Sequence, residues 1–462
     1  MTTGAERKLG DRIARELYRD PDYIDDPILV DYVQGIWQPL LAAARARGDL
    51  SNELDERFAW QVLLGKDRSI NAFALPGGWL GLHLGLVSVT VSRDELASVL
   101  AHELSHVTQR HISRLITAQS KQAPLLVAAM ILGALAASKN PQAGQALMVG
   151  GQAAAAQLQL NFSRDMEREA DRVGYGVLTQ AGFEPQGFVS MFEKLQQASR
   201  LNDNGAFPYL RSHPMTSERV AEMQSRQQLA MRAAAPLRFD HLMAAGRARV
   251  LSNLNVDGLR GLVAEAENPS VAALPKFRQA GTLYAGAFAA LRQRDFARAE
   301  ALATRLATIV AQDPPGQRLT RLLRAEIALE RGDAAGAITL LDAESRQRAE
   351  VLLLAQARMK TGRAAQAAQQ LQTWVSTSPR DATAWQQLAA AYTAQGQPLR
   401  AIRAEAESQE AQLDHQGALD RFKAAQDVAR RGGATQDHVE ASIIDTRARQ
   451  VESLLREQAL ER

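Results

Sequence analysis

A chain of 462 residues with 46% hydrophobic content is long enough for two or three domains and carries ample material for buried cores. Its 54 basic and 51 acidic side chains leave a net charge of +3, which gives no electrostatic footprint for nucleic acid. The absence of cysteine excludes disulfides, thiolate metal ligands and a cysteine nucleophile, so any metal here is held by histidine and carboxylate.

Residues 5–50 read as two helices parted by Asp20-Pro21-Asp22 and Asp25-Asp26-Pro27. Val30, Val33, Ile36, Trp37 and Leu40 give the second its buried face. Phe58 to Leu64 reads as a strand, followed by the turn Asp67-Arg68-Ser69. Ala72 to Leu75 and Trp79 to Leu84 read as two more, joined by Pro76-Gly77-Gly78. Pro76 cannot donate to a sheet ladder, so the strand at 72–75 is expected to lie on an edge or to end there. Such an edge either accepts an extended substrate as a further strand or is simply structural.

Ser92-Arg93-Asp94-Glu95 is a capping box, and it opens a helix whose apolar stripe is Leu96, Val99, Leu100, Leu104, Val107 and Ile112. That helix carries His102-Glu103-Leu104-Ser105-His106. Histidines four apart project from one face a turn from each other, so their imidazoles can share one zinc ion at roughly 2.0–2.1 Å each. Glu103, one position round, can hold a water without itself being a ligand. This is the H-E-x-x-H arrangement of zinc metallopeptidases. Two histidines and a glutamate on a buried helix are costly unless something satisfies them, and one zinc ion per chain does so. His111, five residues past His106, falls about 140° round an uninterrupted helix and is expected outside the site.

Pro124 to Ala137 and Ala146 to Leu160 are two apolar arms broken at Lys139-Asn140-Pro141, each shorter than the ~20 residues that span a bilayer. They read either as a buried helical hairpin or, over 124–160, as a lid that touches a client or the membrane surface. After them, Glu167 and Asp171 stand four apart on a predicted helix that also holds Asp165 and Glu169. Glu167 is the candidate third ligand, with Asp171 accepting the Nδ1–H of a ligand histidine. Asp165 and Glu169 fit a solvated face. Phe188, Met191, Phe192 and Leu195 follow at helical spacing, and His83 reads as structural.

The motif pentapeptide, Glu167 within an E-x-x-x-D helix, Asn71-Ala72-Phe73-Ala74-Leu75-Pro76-Gly77-Gly78 upstream, and Ser212-His213-Pro214 with Arg219 downstream together resemble the M48 metallopeptidases over about residues 20–225. The resemblance implies an α+β, zincin-like protease domain with a small sheet and places the His213 loop near the metal. There His213 either fills the fourth position at rest or steadies the oxyanion. It also implies that Asn71, Ala72, Phe73 and Ala74 bind substrate.

Residues 226–270 read as helical, with a break at Glu267-Asn268-Pro269 taken as the boundary between domains at 1–268 and 269–462. Beyond it Ala299, Ala337, Ala367 and Ala401, at intervals of 38, 30 and 34, each follow by five residues a loop position held by Arg294, Gly332, Gly362 or Gly396. This scatters about the tetratricopeptide period of about 34 and predicts an α-solenoid with a concave face for a protein partner. Gly432-Gly433 breaks the pattern before a last helix.

The expected molecule is mainly α, a zinc endopeptidase followed by tetratricopeptide repeats. M48 proteases with such an array imply export to the periplasm, degradation of misfolded or stalled envelope proteins, and help with outer-membrane β-barrel assembly. The polar N-terminus lacks an apolar signal segment and is read as lying near a processed end. The rival expectation is a chaperone-like scaffold acting through its repeats with little proteolysis, against which Glu103 argues.

Overall fold

The computed structural model describes residues 1–119, 164–200, 207–228, 237–431 and 437–460; the stretch 124–160 and the Gly432-Gly433 break lie outside them. The protein is mainly α, with one small sheet among the described residues. Among the described residues no helix is long and apolar enough to cross a membrane. Contacts group the chain into two compact units, Met1–Leu319 and Thr320–Arg462. Compactness thus divides later than residue 268, because helices Lys276–Arg292 and Phe296–Ile309 pack with Phe239–Leu251 and Val256–Glu267 inside the first unit.

Near the start of that unit, the helix Pro27–Arg47 begins where Asp26 accepts from Leu29 N at 2.8 Å and Pro27 supplies a preset φ. It ends on Gly48, left-handed at φ 76°. Val33, Ile36, Trp37 and Leu40 are buried as the pattern requires, joined by Ile28 and Leu29, whereas Val30 is only half-buried. The sheet has four strands in the order β1-β2-β4-β3, with β1 Tyr23–Ile24, β2 Gln61–Gly65, β3 Ala72–Leu75 and β4 Trp79–His83. β2 runs parallel to β4, and β3 pairs antiparallel with β4, Ala74 opposite Leu80. β3 is therefore an edge strand. β2 starts three residues later than the pattern suggests, since a short helix Asn52–Arg57 precedes it and Trp60 turns the chain at φ 53°. The β3–β4 turn needs glycine: Gly77 sits at φ 72°, and a Cβ there would stand 2.7 Å from Arg7 Cα.

The motif helix, Arg93–Thr108, is capped by Ser92, whose Oγ accepts from Glu95 N at 3.1 Å. The Glu95 carboxylate reaches Val91 N and Lys194 Nζ, both at 2.8 Å. Every residue from Glu95 to Thr108 is buried, because the helix is covered by β3, by Arg164–Gln180 and by Gln186–Arg200. Gly174 lets Arg164–Gln180 come close: a Cβ there would lie 3.1 Å from the carbonyl oxygen of Ala101.

Paired helices occupy the remainder. Ala299, Ala337, Ala367 and Ala401 are all buried, and the loop residues five before them, Arg294, Gly332, Gly362 and Gly396, all have positive φ, from 61° to 93°. At each of the four positions a buried alanine thus follows a left-handed turn by five residues. In the second unit Val351, Leu352, Leu371, Trp385, Leu388 and Tyr392 form a continuous core.

Candidate active site and metal centre

The motif helix places His102 and His106 side by side with their Nε2 atoms 2.9 Å apart. From the neighbouring helix Glu167 brings Oε1 to 3.4 Å from His106 Nε2 and Oε2 to 3.5 Å from His102 Nε2. His213, at the end of the short helix Tyr209–Ser212, completes the group, its Nδ1 3.3 Å from His102 Nε2 and 3.0 Å from Glu167 Oε1. One ligand atom from each of the four buried residues lies within 4.8 Å of every other. Ligands about 2.0–2.2 Å from a tetrahedral centre stand roughly 3.3–3.6 Å apart, so this spacing suits a single metal ion.

The electrostatics point the same way. Burial works against charge on His102, but Asp171 and Glu167 outweigh it and hold the imidazole at about 10. His106 is pushed well below the usual range by burial. Burial opposes ionisation of Glu167, yet the surrounding histidines carry it well below the usual carboxylate range. The centre is thus a buried place where the carboxylates favour positive charge.

Glu103 is fully buried, and burial raises its carboxyl above the ordinary value. Its Oε2 accepts from the N–H of Ala74 on β3 at 2.9 Å. Its Oε1 has no hydrogen-bond partner among the described residues and lies 3.4 Å from His213 Nε2. An orphaned carboxylate oxygen beside two imidazoles and a glutamate fits a metal centre with a reactive water.

Around this core, His102 Nδ1 lies 2.9 Å from Asp171 Oδ1. Asp171 is gripped by Arg219 through two contacts of 2.7 and 2.8 Å. The same guanidinium donates to the carbonyl of Pro214 at 2.8 Å and stands 2.8 Å from Glu167 Oε2, tying the His213 loop to the carboxylate helix. Tyr209 stacks on His213 with ring centroids 4.6 Å apart. Phe73 is half-buried in β3, and Ala72 and Ala74 flank it; Asn71 is buried and its carbonyl accepts from His83 N at 3.0 Å.

Two expectations need correction. His111 is not remote: its Nδ1 is 2.8 Å from His106 Nδ1. The helical-wheel estimate fails because the motif helix ends at Thr108 and Arg110 is left-handed, φ 54°, which swings the next turn back toward the site. Glu169 is not merely solvated, since it bonds His111 Nε2 at 3.0 Å and Arg114 at 2.7 Å. The other histidines stay outside: His83 bonds Ser69, His241 bonds Tyr32 and the Thr90 carbonyl, and His415 bonds Glu410.

Comparison with known proteins agrees with this geometry. The family model described as Peptidase family M48 matches residues 39–227, which include all four residues of the donor group. A Vibrio cholerae protein is 33% identical over 66% of this chain and 60% of its own length. The beta-barrel assembly-enhancing protease of Escherichia coli (strain K12) is 35% identical over 49% of this chain and 44% of its own. The chain therefore spans less than two thirds of these two relatives. The protein of the same name from Yersinia pestis is 30% identical over 88% of this chain and 81% of its own. With a metallopeptidase's donor set at the place where the family pattern requires it, and with similarity running through most of a full relative, the chain belongs to peptidase family M48.

Proposed function

We propose that the protein is a zinc-dependent endopeptidase of the bacterial envelope that cleaves misfolded or stalled proteins and assists β-barrel assembly. The observation that carries the catalytic part is Glu103, with one oxygen anchored on the edge strand and the other free beside the donor group. His102, His106 and Glu167 would hold the metal. Zinc bound there supplies Lewis-acid polarisation of a carbonyl and a more acidic water. Glu103 takes the proton at Oε1 and passes it to the departing amine, and its raised affinity for protons in the buried site suits both steps. Asp171 fixes the ring of His102, and Asn71, Ala72, Phe73 and Ala74 offer an extended backbone along which a substrate strand aligns.

In this reading His213, with Nδ1 3.3 Å from His102 Nε2 and 3.0 Å from Glu167 Oε1, would take the place of the reacting water as a resting latch whose loop withdraws when a client engages. The names of the Escherichia coli and Yersinia pestis relatives support the link to barrel assembly and hence an envelope setting, and the periplasm is the compartment we propose. The buried alanines and left-handed turns support tetratricopeptide repeats, which recruit partners or clients.

The test is Glu103→Gln assayed with zinc content. The variant should keep its zinc and fold while cleavage of an unfolded protein substrate drops by about 10²–10⁴-fold. Cleavage at the wild-type rate would remove Glu103 from the mechanism.

A further inference from the structure

We propose that His111 and Glu169 are positioning residues that fix the tautomer and orientation of His106; this inference rests on the zinc reading above. Two ring nitrogens 2.8 Å apart, His106 Nδ1 and His111 Nδ1, share one proton between them. The far side of His111 decides which holds it. His111 Nε2 lies 3.0 Å from Glu169 Oε2, and a carboxylate oxygen can only accept, so His111 carries its proton on Nε2. Its Nδ1 is then a lone pair that accepts the Nδ1–H of His106. That leaves His106 Nε2 unprotonated and directed at His102 Nε2 and Glu167 Oε1, 2.9 and 3.4 Å away. Arg114 NH1, 2.7 Å from Glu169 Oε2, holds the carboxylate in place.

The arrangement parallels the other ligand. His102 is backed by Asp171, which is paired to Arg219, and His106 by His111, Glu169 and Arg114 in turn. What the second chain needs is the reversal after Thr108. Arg110 holds it at φ 54°, its guanidinium bonded to Glu6 at 2.8 and 3.0 Å and to the Met1 carbonyl at 2.8 Å. The N-terminal helix Thr3–Arg19 thereby anchors the turn that delivers a fully buried His111 to the metal site.

The experiment measures zinc affinity of the full chain by competition with a chromophoric chelator, alongside thermal unfolding of each metal-free variant. His111→Leu, which cannot accept a hydrogen bond, should bind zinc about 10–100-fold more weakly. His111→Asn keeps an acceptor near the Nδ1 position and should recover most of that loss, a rescue that a purely structural role would not give. Wild-type affinity in His111→Leu, or equal weakening in the leucine and asparagine variants, overturns the proposal. Should the leucine variant not fold, Glu169→Ala decides, because it removes only a part-exposed carboxylate: several-fold weaker binding supports the proposal and unchanged binding overturns it. Failure of the wild type itself to bind zinc would instead overturn the metallopeptidase reading.

Discussion

Two alternative roles proposed for His213, latch or oxyanion donor, predict effects of opposite sign when it is removed. If it is a latch, it would compete for the position of the reacting water, and the isolated protein would be slow because only its open fraction would be competent. His213→Ala should then raise cleavage of a short peptide by the reciprocal of that fraction, roughly tenfold for a loop open a tenth of the time. As an oxyanion donor its loss would lower the rate by about 10²–10³-fold instead. Steady-state cleavage with zinc content measured in parallel separates the two, and a slower variant with full zinc would sink the latch. The donor spacing of 3.3 Å to His102 and 3.0 Å to Glu167 favours the latch in the conformation seen. At this scale the motif residues were legible because H-E-x-x-H spacing encodes its own geometry. Arg219 was visible only as a family match, since its partners Asp171 and Glu167 are 48 and 52 residues away in sequence and meet it only through folding.

Among elements, the repeat hairpins offer the sharpest test of how local sequence sets packing. Asp381 caps the helix Ala382–Ala394 by accepting from Ala384 N at 3.1 Å. The same carboxylate receives Arg348 at 2.7 and 2.8 Å and the indole N–H of Trp374 at 2.8 Å. Burial opposes its ionisation, but Arg348 and Trp374 outweigh that and lower its pKa. Being depressed in the fold, this group contributes stability above about pH 3.8 and loses it as pH falls further. Asp381→Ala removes a cap and the carboxylate partner of the part-buried Arg348, so it should cost about 1–3 kcal/mol at neutral pH, read from denaturant unfolding. A loss under 1 kcal/mol would show that the three bonds do not act together. The left-handed turns were equally readable at Gly332, Gly362 and Gly396, whereas Arg294 holds the same conformation at φ 61° without the glycine that announces it.

For the molecule as a whole, His241 reports on the union of its first unit. It joins the helix Phe239–Leu251 to Tyr32 through a 2.6 Å bond and to the Thr90 carbonyl through a 2.9 Å bond. Donation to a carbonyl places the proton on Nε2, so Nδ1 accepts from the tyrosine and the neutral ring is the one that fits. Burial accordingly lowers its pKa. A histidine depressed in the fold stabilises it above about pH 6.5, and that stability is lost as pH falls from there toward the folded value. Metal-free wild type should therefore lose stability between pH 6.5 and 5.5 more steeply than His241→Asn, by up to about 1.4 kcal/mol per pH unit. Parallel slopes in chelator-treated samples would assign the acid sensitivity elsewhere.

By itself the sequence determined the helical character, the metal-binding pentapeptide, the edge position of β3 and the repeat turns. Each is written in short-range spacing: three or four residues for a helix face, a proline for a strand edge, a glycine for a left-handed turn. Tertiary structure alone decided what depends on chain reversal or on partners far apart in sequence. It grouped the helices 276–309 with the first unit, set Glu103 against Ala74, and joined Arg219 to two carboxylates. It also returned His111 to His106, because a periodic reading assumes that the helix continues and a single left-handed arginine, held by a glutamate over a hundred residues upstream, ends that assumption.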